Sequence, residues 1–415
     1  MTAGQADTLE SAWKEALAKD HRIAASEHSG ESAEATLSAA RRTRLPRLTA
    51  LGGYTWLADQ PAFQFSFPGI PLLPPVEASF LNKDFLAVQG ALSVPVFTSG
   101  KISHGIAAAE NGYDASRLEH QQVQQDVKME VADAYVNILR ARKAVSVAES
   151  HVESLHSHSA QVARMYDHDL VSKADLLSAQ TASADAEQKA LQASNALDLA
   201  TASYNRLLGR PLGRPVELAE MELSAVVKDS LDTLTERALQ ARVEIEATQM
   251  QENSLRNQAA SVRGEAWPQV ALTGSVTYID DSYLTRNTFV AATVGVSWDV
   301  FDFGQTLKRA AAVDEKASAA AERREELRSL IELQVRKSYL DADEARRRLQ
   351  VTRQAVAQAD ENLKETKSRY AANLATNTEV LDAESLRVLT LGNYNNAVYD
   401  SVIGGIRLRR AIGAL

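Results

Sequence analysis

Pro268-Gln269-Val270-Ala271-Leu272-Thr273-Gly274-Ser275-Val276-Thr277-Tyr278-Ile279 alternates without a break. One face carries Val270, Leu272, Gly274, Val276 and Tyr278, and the other Gln269, Ala271, Thr273, Ser275 and Thr277. A period of two marks a strand whose two faces meet different surroundings. The next stretch repeats the pattern, with Val290, Ala292, Val294, Val296, Trp298 and Val300 opposite Ala291, Thr293, Gly295, Ser297 and Asp299. Upstream, Leu86, Val88, Gly90, Leu92, Val94 and Val96 face away from Ala87, Gln89, Ala91 and Ser93, and Leu48, Ala50, Gly52, Tyr54 and Trp56 alternate more loosely. Four strands are therefore predicted, over about 46–58, 84–97, 268–279 and 288–301. Each is long enough to supply the ~9–11 residues that a tilted strand needs to cross a bilayer. Tyr54, Trp56, Tyr278 and Trp298 fall near strand ends, where membrane-facing aromatics sit.

The chain offers no further strands for the apolar faces to pack against. Four strands cannot close on themselves, since the smallest membrane barrels use about eight, and open edges are not tolerated in lipid. Several chains must share the cylinder. Three supply about twelve strands, whereas two would leave almost no lumen.

Outward from the strands the chain reads as helix. From Tyr113 to Leu208 there are 96 residues with neither Gly nor Pro, and from Gln305 to Leu391 there are 87 more. Both runs are rich in Ala, Leu, Glu, Gln, Lys and Arg, the strongest helix formers. A helix of ~65 residues rises about 100 Å, a length that calls for coiled-coil packing. Val145, Ala148, Val152, Leu155, Ser159, Val162 and Tyr166 step by three and four, as do Leu349, Thr352, Val356, Ala359, Leu363, Thr366 and Tyr370. Leu176, Ala179, Ser183, Ala186, Ala190 and Ala193 continue the stepping with small residues that admit close helix approach.

The two runs are copies. Phe97, Gly100, Tyr166, Asp175, Ala179 and Gly209 return 204 residues later as Phe301, Gly304, Tyr370, Glu379, Ala383 and Gly413. Before Pro46 the offset is 222, so the extra 18 residues of the first copy fall in the proline-rich stretch Asp59–Lys83. The organisation predicted is a first repeat at 1–209, an inter-repeat segment at 210–233 and a second repeat at 234–415. The helical hairpins run over about 101–208, with a tip near 167–175, and about 305–412, with a tip near 371–379.

Composition narrows the function. Among 415 residues the net charge is −9, which disfavours a nucleic-acid binder, and the absence of cysteine excludes disulfides, thiolate metal sites and a Cys nucleophile. No run approaches 18 consecutive apolar residues, so no membrane-spanning helix is expected. Met1–Glu10 lacks a basic start and an apolar stretch, so no signal peptide is read in this chain. There is no phosphate-binding loop, dinucleotide glycine pattern, HExxH or nucleophile elbow, and neither an enzyme nor a cofactor is expected. His151, His156 and His158 do not converge on a helix, because His156 points roughly 160° from His158. The expectation there is a solvated helix face without a metal.

In this order the motifs resemble the TolC-like outer-membrane factors, the outer membrane efflux proteins of Gram-negative bacteria. The resemblance runs from Leu9-Glu10-Ser11-Ala12-Trp13-Lys14-Glu15-Ala16-Leu17 through Pro95-Val96-Phe97-Thr98-Ser99-Gly100 and Leu207-Leu208-Gly209-Arg210-Pro211 to Trp298-Asp299-Val300-Phe301-Asp302-Phe303-Gly304. Its most specific part is Arg369-Tyr370-Ala371-Ala372-Asn373-Leu374-Ala375-Thr376-Asn377-Thr378-Glu379-Val380-Leu381-Asp382-Ala383-Glu384. The resemblance implies a homotrimer with a twelve-stranded β-barrel in the outer membrane and a long α-helical barrel reaching through the periplasm. It also implies an export duct for a tripartite efflux or type I secretion system, joined by a periplasmic adaptor (membrane fusion protein) to an inner-membrane RND, ABC or similar pump.

The candidate residues cluster at the tips. Ser172-Lys173-Ala174-Asp175 and Thr376-Asn377-Thr378-Glu379 have the capping-box form, so capping alone accounts for Asp175 and Glu379. Just before them, Asp169 and Asn373 are residue types that tolerate a left-handed backbone. Glu379 and Asp382 share a helical face, and three copies would set two carboxylate rings around a narrow opening. By resemblance these two match the family's selectivity ring, and Asp175 and Tyr370 match members of its periplasmic gate. By resemblance Ala375 stands where the family's gate has a basic residue, so a gate here either takes another donor, Lys173 or Arg369, or is held less firmly. Leu170, Val171, Leu374 and Thr376 are the expected adaptor-docking positions. The alternative from another class is a soluble coiled-coil scaffold or periplasmic adaptor, which usually shows one hairpin where this chain has two.

Overall fold

The structure, a computed structural model, describes residues 6–65, 76–222 and 229–415. The middle of the proline-rich stretch and part of the inter-repeat segment lie outside the described residues. One pattern of elements occurs twice. Helices α1 (Leu9–Lys19) and α2 (His21–Arg42) lead to strand β1 (Arg47–Trp56), a short pair β2 (Ala62–Phe65) and β3 (Val76–Ser79), and strand β4 (Asp84–Phe97). Helices α3 (Lys101–Asp167) and α4 (Lys173–Leu207) follow. The second series is α5 (Leu231–Ala241), α6 (Val243–Gly264), β5 (Gln269–Asp280), β6 (Thr288–Ser297), α7 (Gln305–Ala371) and α8 (Asn377–Ala411). α3 and α7 are both 67 residues long, and α4 and α8 are both 35.

Two compact units arise, each drawn from several stretches of chain. The first comprises 1–30, 116–247 and 323–415, and the second 31–115 and 248–322. In the first, α1 lies on α3 and α4 through Leu9, Ala12, Ala16, Val131, Tyr135, Tyr204 and Leu208, joined by Val402 and Ile406 of α8. Burying residues of this size contributes ~1.5–3 kcal/mol each, which explains why an 11-residue helix too short to persist alone is held. Arg210, almost fully buried, fixes the same corner by pairing with Asp7 at 2.6 Å and with Glu15 at 3.0 Å. A second cluster joins Leu234, Ala238 and Ile245 to Ile331, Val335 and Leu408.

In the second unit, the strands form one antiparallel sheet in the order β1-β4-β5-β6. Its register sets Leu48 opposite Leu92, Val94 opposite Leu272 and Leu272 opposite Val294. The sheet is inside out by the standard of a soluble protein. Val290 and Val294 are 80% and 70% exposed. Along β5, Leu272, Val276 and Tyr278 are exposed while Thr273, Ser275 and Thr277 are half-buried. β1 and β6 each have a single ladder partner among the described residues, so both outer edges carry unpaired backbone groups.

Two details depart from the sequence reading. β6 ends at Ser297, short of the expected 301, because the Trp298 indole N–H donates to Ala266 O and Asp302 turns the chain by accepting from Gly304 and Thr306 N–H. The pair β2–β3, with Phe63 stacked on Phe80, lies within the longer loop of the first series and was not anticipated as strand. No helix among the described residues is long and apolar enough to cross a membrane.

Candidate functional site

The hairpin tips are built by backbone chemistry before any side chain acts. α3 ends in a Schellman turn, with Leu170 N–H bonded to Met165 O at 2.9 Å and Asp169 N–H to Tyr166 O at 2.9 Å. α7 ends the same way, through Leu374 N–H to Arg369 O at 2.8 Å and Asn373 N–H to Tyr370 O at 3.0 Å. The turn needs one left-handed residue. Asp169 and Asn373 supply it, both at φ 58°.

Each returning helix then opens on a reciprocal cap. Ser172 Oγ accepts from Asp175 N–H at 3.1 Å while the Asp175 carboxylate accepts from Ser172 N–H at 3.2 Å. Thr376 Oγ1 and Glu379 make the same exchange at 3.2 and 3.1 Å. The backbone and side-chain hydrogen bonds from Thr376 hold the Glu379 carboxyl below its ordinary range, so it stays ionised in mild acid. Capping therefore fixes where this negative charge points. Glu379 and Asp382 are exposed on adjacent turns of α8.

Between the tips, Tyr370 packs in a small core with Val162, Ala179 and Val380. Its hydroxyl is buried without a hydrogen-bond partner among the described residues. Burial raises its pKa, and the Asp175 charge adds to the shift. Tyr370 and Asp175 are thus neighbours without a direct bond. Arg369 turns back to donate to Leu374 O at 3.1 Å, and Lys173 is exposed without an ion pair among the described residues. Leu170, Leu374 and Thr376 are exposed and Val171 is half-buried, while Tyr54, Trp56, Tyr278 and Trp298 are exposed in or beside the sheet of the other unit.

The histidines correct the expectation of a solvated face. His151, Leu155, His158 and Val162 form one buried stripe of α3, and only His156 is exposed, paired with Glu187 at 2.9 Å. Among the described residues no group of three His, Cys, Asp or Glu could hold a metal. Around His151 and His158 the structure gathers residues that the sequence reading passed over: Ser154, Lys367, Asn377 and Glu384. Glu384 was detectable, because it follows Val380 and Ala383 on the buried stripe of α8, where a carboxylate demands a partner.

A sheet whose apolar residues are exposed and two long helical hairpins with acidic tips are features of a channel-type transport protein. The chain belongs to the outer membrane efflux protein family, whose model matches residues 12–210 and 234–414. It is 20% identical over 428 residues to the outer membrane protein TolC of Escherichia coli K12, spanning 99% of this chain and 83% of that protein. Its fold is that of the outer membrane protein VceC of Vibrio cholerae, with a TM-score of 0.81 at 16% identity over 98% of this chain and 96% of that one. The CmeC outer membrane channel of Campylobacter jejuni gives a TM-score of 0.83 at 13% identity over 98% and 85%.

Proposed function

We propose that the chain is one third of an outer-membrane exit duct. Three copies close a twelve-stranded barrel in lipid and continue it as a helical tunnel into the periplasm. Material leaves passively, in a tripartite efflux or type I secretion system whose inner-membrane pump supplies the energy and whose periplasmic adaptor docks at the tips. The observation that carries this reading is the four-stranded sheet whose apolar face is exposed and whose two edges have no partner strand among the described residues. In lipid an open edge costs several kcal/mol for each unsatisfied group, and copies of the same sheet remove that cost.

Within this reading, the Tyr54, Trp56, Tyr278 and Trp298 rings sit at the membrane interface. Leu170, Val171, Leu374 and Thr376 receive the adaptor. Asp175 and Tyr370 belong to the gate, with Arg369 and Lys173 beside them. Glu379 and Asp382 line the opening as two carboxylate rings that favour cations. Planar-bilayer conductance tests the ring. The double variant Glu379→Gln, Asp382→Asn is expected to lose most of the cation preference and the block by multivalent cations. Unchanged selectivity rejects it.

A further inference from the structure

Glu384 has an exposure of 0% yet carries a charge. Lys367 Nζ of α7 lies 2.5 Å from its carboxylate and also donates to Ser154 Oγ of α3 at 2.7 Å, and Ser154 Oγ donates to Glu384 in turn. Burial alone would raise this carboxyl, but contacts with His151, Lys367 and Ser154 outweigh it and hold the pKa at about 2. The charge is therefore permanent at any physiological pH. Nearer the tip, His158 of α3, 3% exposed, has Nε2 2.7 Å from Asn377 Oδ1 at the start of α8. Asn377 Nδ2 donates to Asp175 O of α4 at 3.2 Å, so its Oδ1 accepts and His158 Nε2 carries the proton. The Lys367–Glu384 pair lies within the α7–α8 hairpin and is tied to the α3–α4 hairpin through Ser154, while the second link crosses from His158 and Asp175 to Asn377.

We propose that these two links form a clasp within each protomer, which holds the two hairpin tips together in the closed state and releases them on acidification. The proposal rests on the gated-duct reading for its consequence, though the clasp stands on its own geometry. It also gives the tip an internal tie where Ala375 leaves the family's basic partner out.

The titrating group is His158. Facing it are His151 and Ser154 on its own helix, Lys367 and Tyr370 from α7, Asn377 and Glu384 from α8, and Asp175 at the head of α4. Glu384 is already ionised, and Tyr370, its ring 5.2 Å away, stays neutral. A second proton on His158 places a buried cation in the field of the Lys367 ammonium. Burial, then, and next Lys367, lower its pKa from the ordinary 6.5, against the opposing pull of Asn377 and Glu384. A depressed histidine pKa leaves the closed state unpenalised above 6.5 and destabilises it progressively as the pH falls below that value.

Because the chain contains no cysteine, Ala174→Cys and Thr378→Cys put a spin-label pair on the exposed first turns of α4 and α8. Labelled full-length chain, diluted into unlabelled chain in detergent, reports the distance within one protomer by double electron–electron resonance at about pH 7.5 and about pH 5.5. The expected result is one short distance at the higher pH, with the separated population growing about tenfold on acidification, the change that one pH unit of unequal protonation delivers. His158→Gln, which keeps a donor but cannot titrate, should hold the short distance at both pH values. Glu384→Gln, which removes the carboxylate that Ser154 of α3 bonds, should separate the tips at both. Distances indifferent to pH in the unsubstituted residues, or an acid response surviving in His158→Gln, overturn the clasp. Should Glu384→Gln fail to fold, His158→Gln decides alone. The distances need no conduction: an acid-responsive tip in a protein that never conducts sinks the duct and spares the clasp, and a conducting channel with an indifferent tip does the reverse.

Discussion

Replacing Val294 with Arg and, separately, Thr293 with Arg separates an outward lipid face from an outward water face. The two residues are neighbours near the middle of β6. Val294 is 70% exposed and pairs with Leu272 on the apolar face, while Thr293 pairs with Thr273 on the polar one. If the apolar face meets hydrocarbon, an arginine at position 294 costs ~2–4 kcal/mol per chain near the bilayer midplane, and three copies raise the total to roughly 6–12 kcal/mol per trimer. At 293 the same side chain points into water and should change stability by no more than ~1 kcal/mol. In a soluble protein the order would differ, because an exposed valine replaced by arginine is nearly neutral. The assay is refolding into lipid vesicles followed by urea titration, with the fraction of heat-resistant trimer on gels as a second reading. Equal losses at the two positions, or a greater loss at 293, refute the assignment of the faces.

Two further predictions concern the helical unit. Asn373 has φ 58°, so Asn373→Gly should be neutral or slightly stabilising, whereas Asn373→Val should cost ~1–2 kcal/mol in urea unfolding. Arg210→Ala should destabilise by about 3 kcal/mol, because it leaves Asp7 and Glu15 without their shared partner. The same corner has an acid signature. The hydrogen bonds of Arg210, acting first, hold the Glu15 carboxyl at about 2 against an ordinary 4.5. Its contribution is present in full above pH 4.5 and is lost as the pH falls toward 2, a loss that should shrink in Arg210→Ala when unfolding is followed across that range.

The four-stranded sheet was legible because alternation is a one-residue code: Leu272 and Thr273 declare their faces whatever completes the sheet. The long helices were legible for the opposite reason, the absence of any Gly or Pro from 113 to 208 and from 305 to 391, which covers most of their length. Capping boxes could be read at Ser172 and Thr376 since both partners lie three residues apart. What escaped was set by contacts between distant stretches. The histidine stripe looked solvated because a heptad seam can be drawn through Val152 and Ser159 as easily as through His151 and His158, and only packing against α8 chooses between them. Likewise, the bond from Arg369 to Leu374 O depends on the turn that closes α7 and not on any spacing in the sequence.

The central claim is that one copy leaves its sheet unfinished and completes it only with others. Light scattering coupled to size exclusion, on the full chain extracted in mild detergent, measures this directly. The account predicts a protein mass close to three times 45.1 kDa, persisting on dilution. A stable monomer that needs no detergent would contradict it.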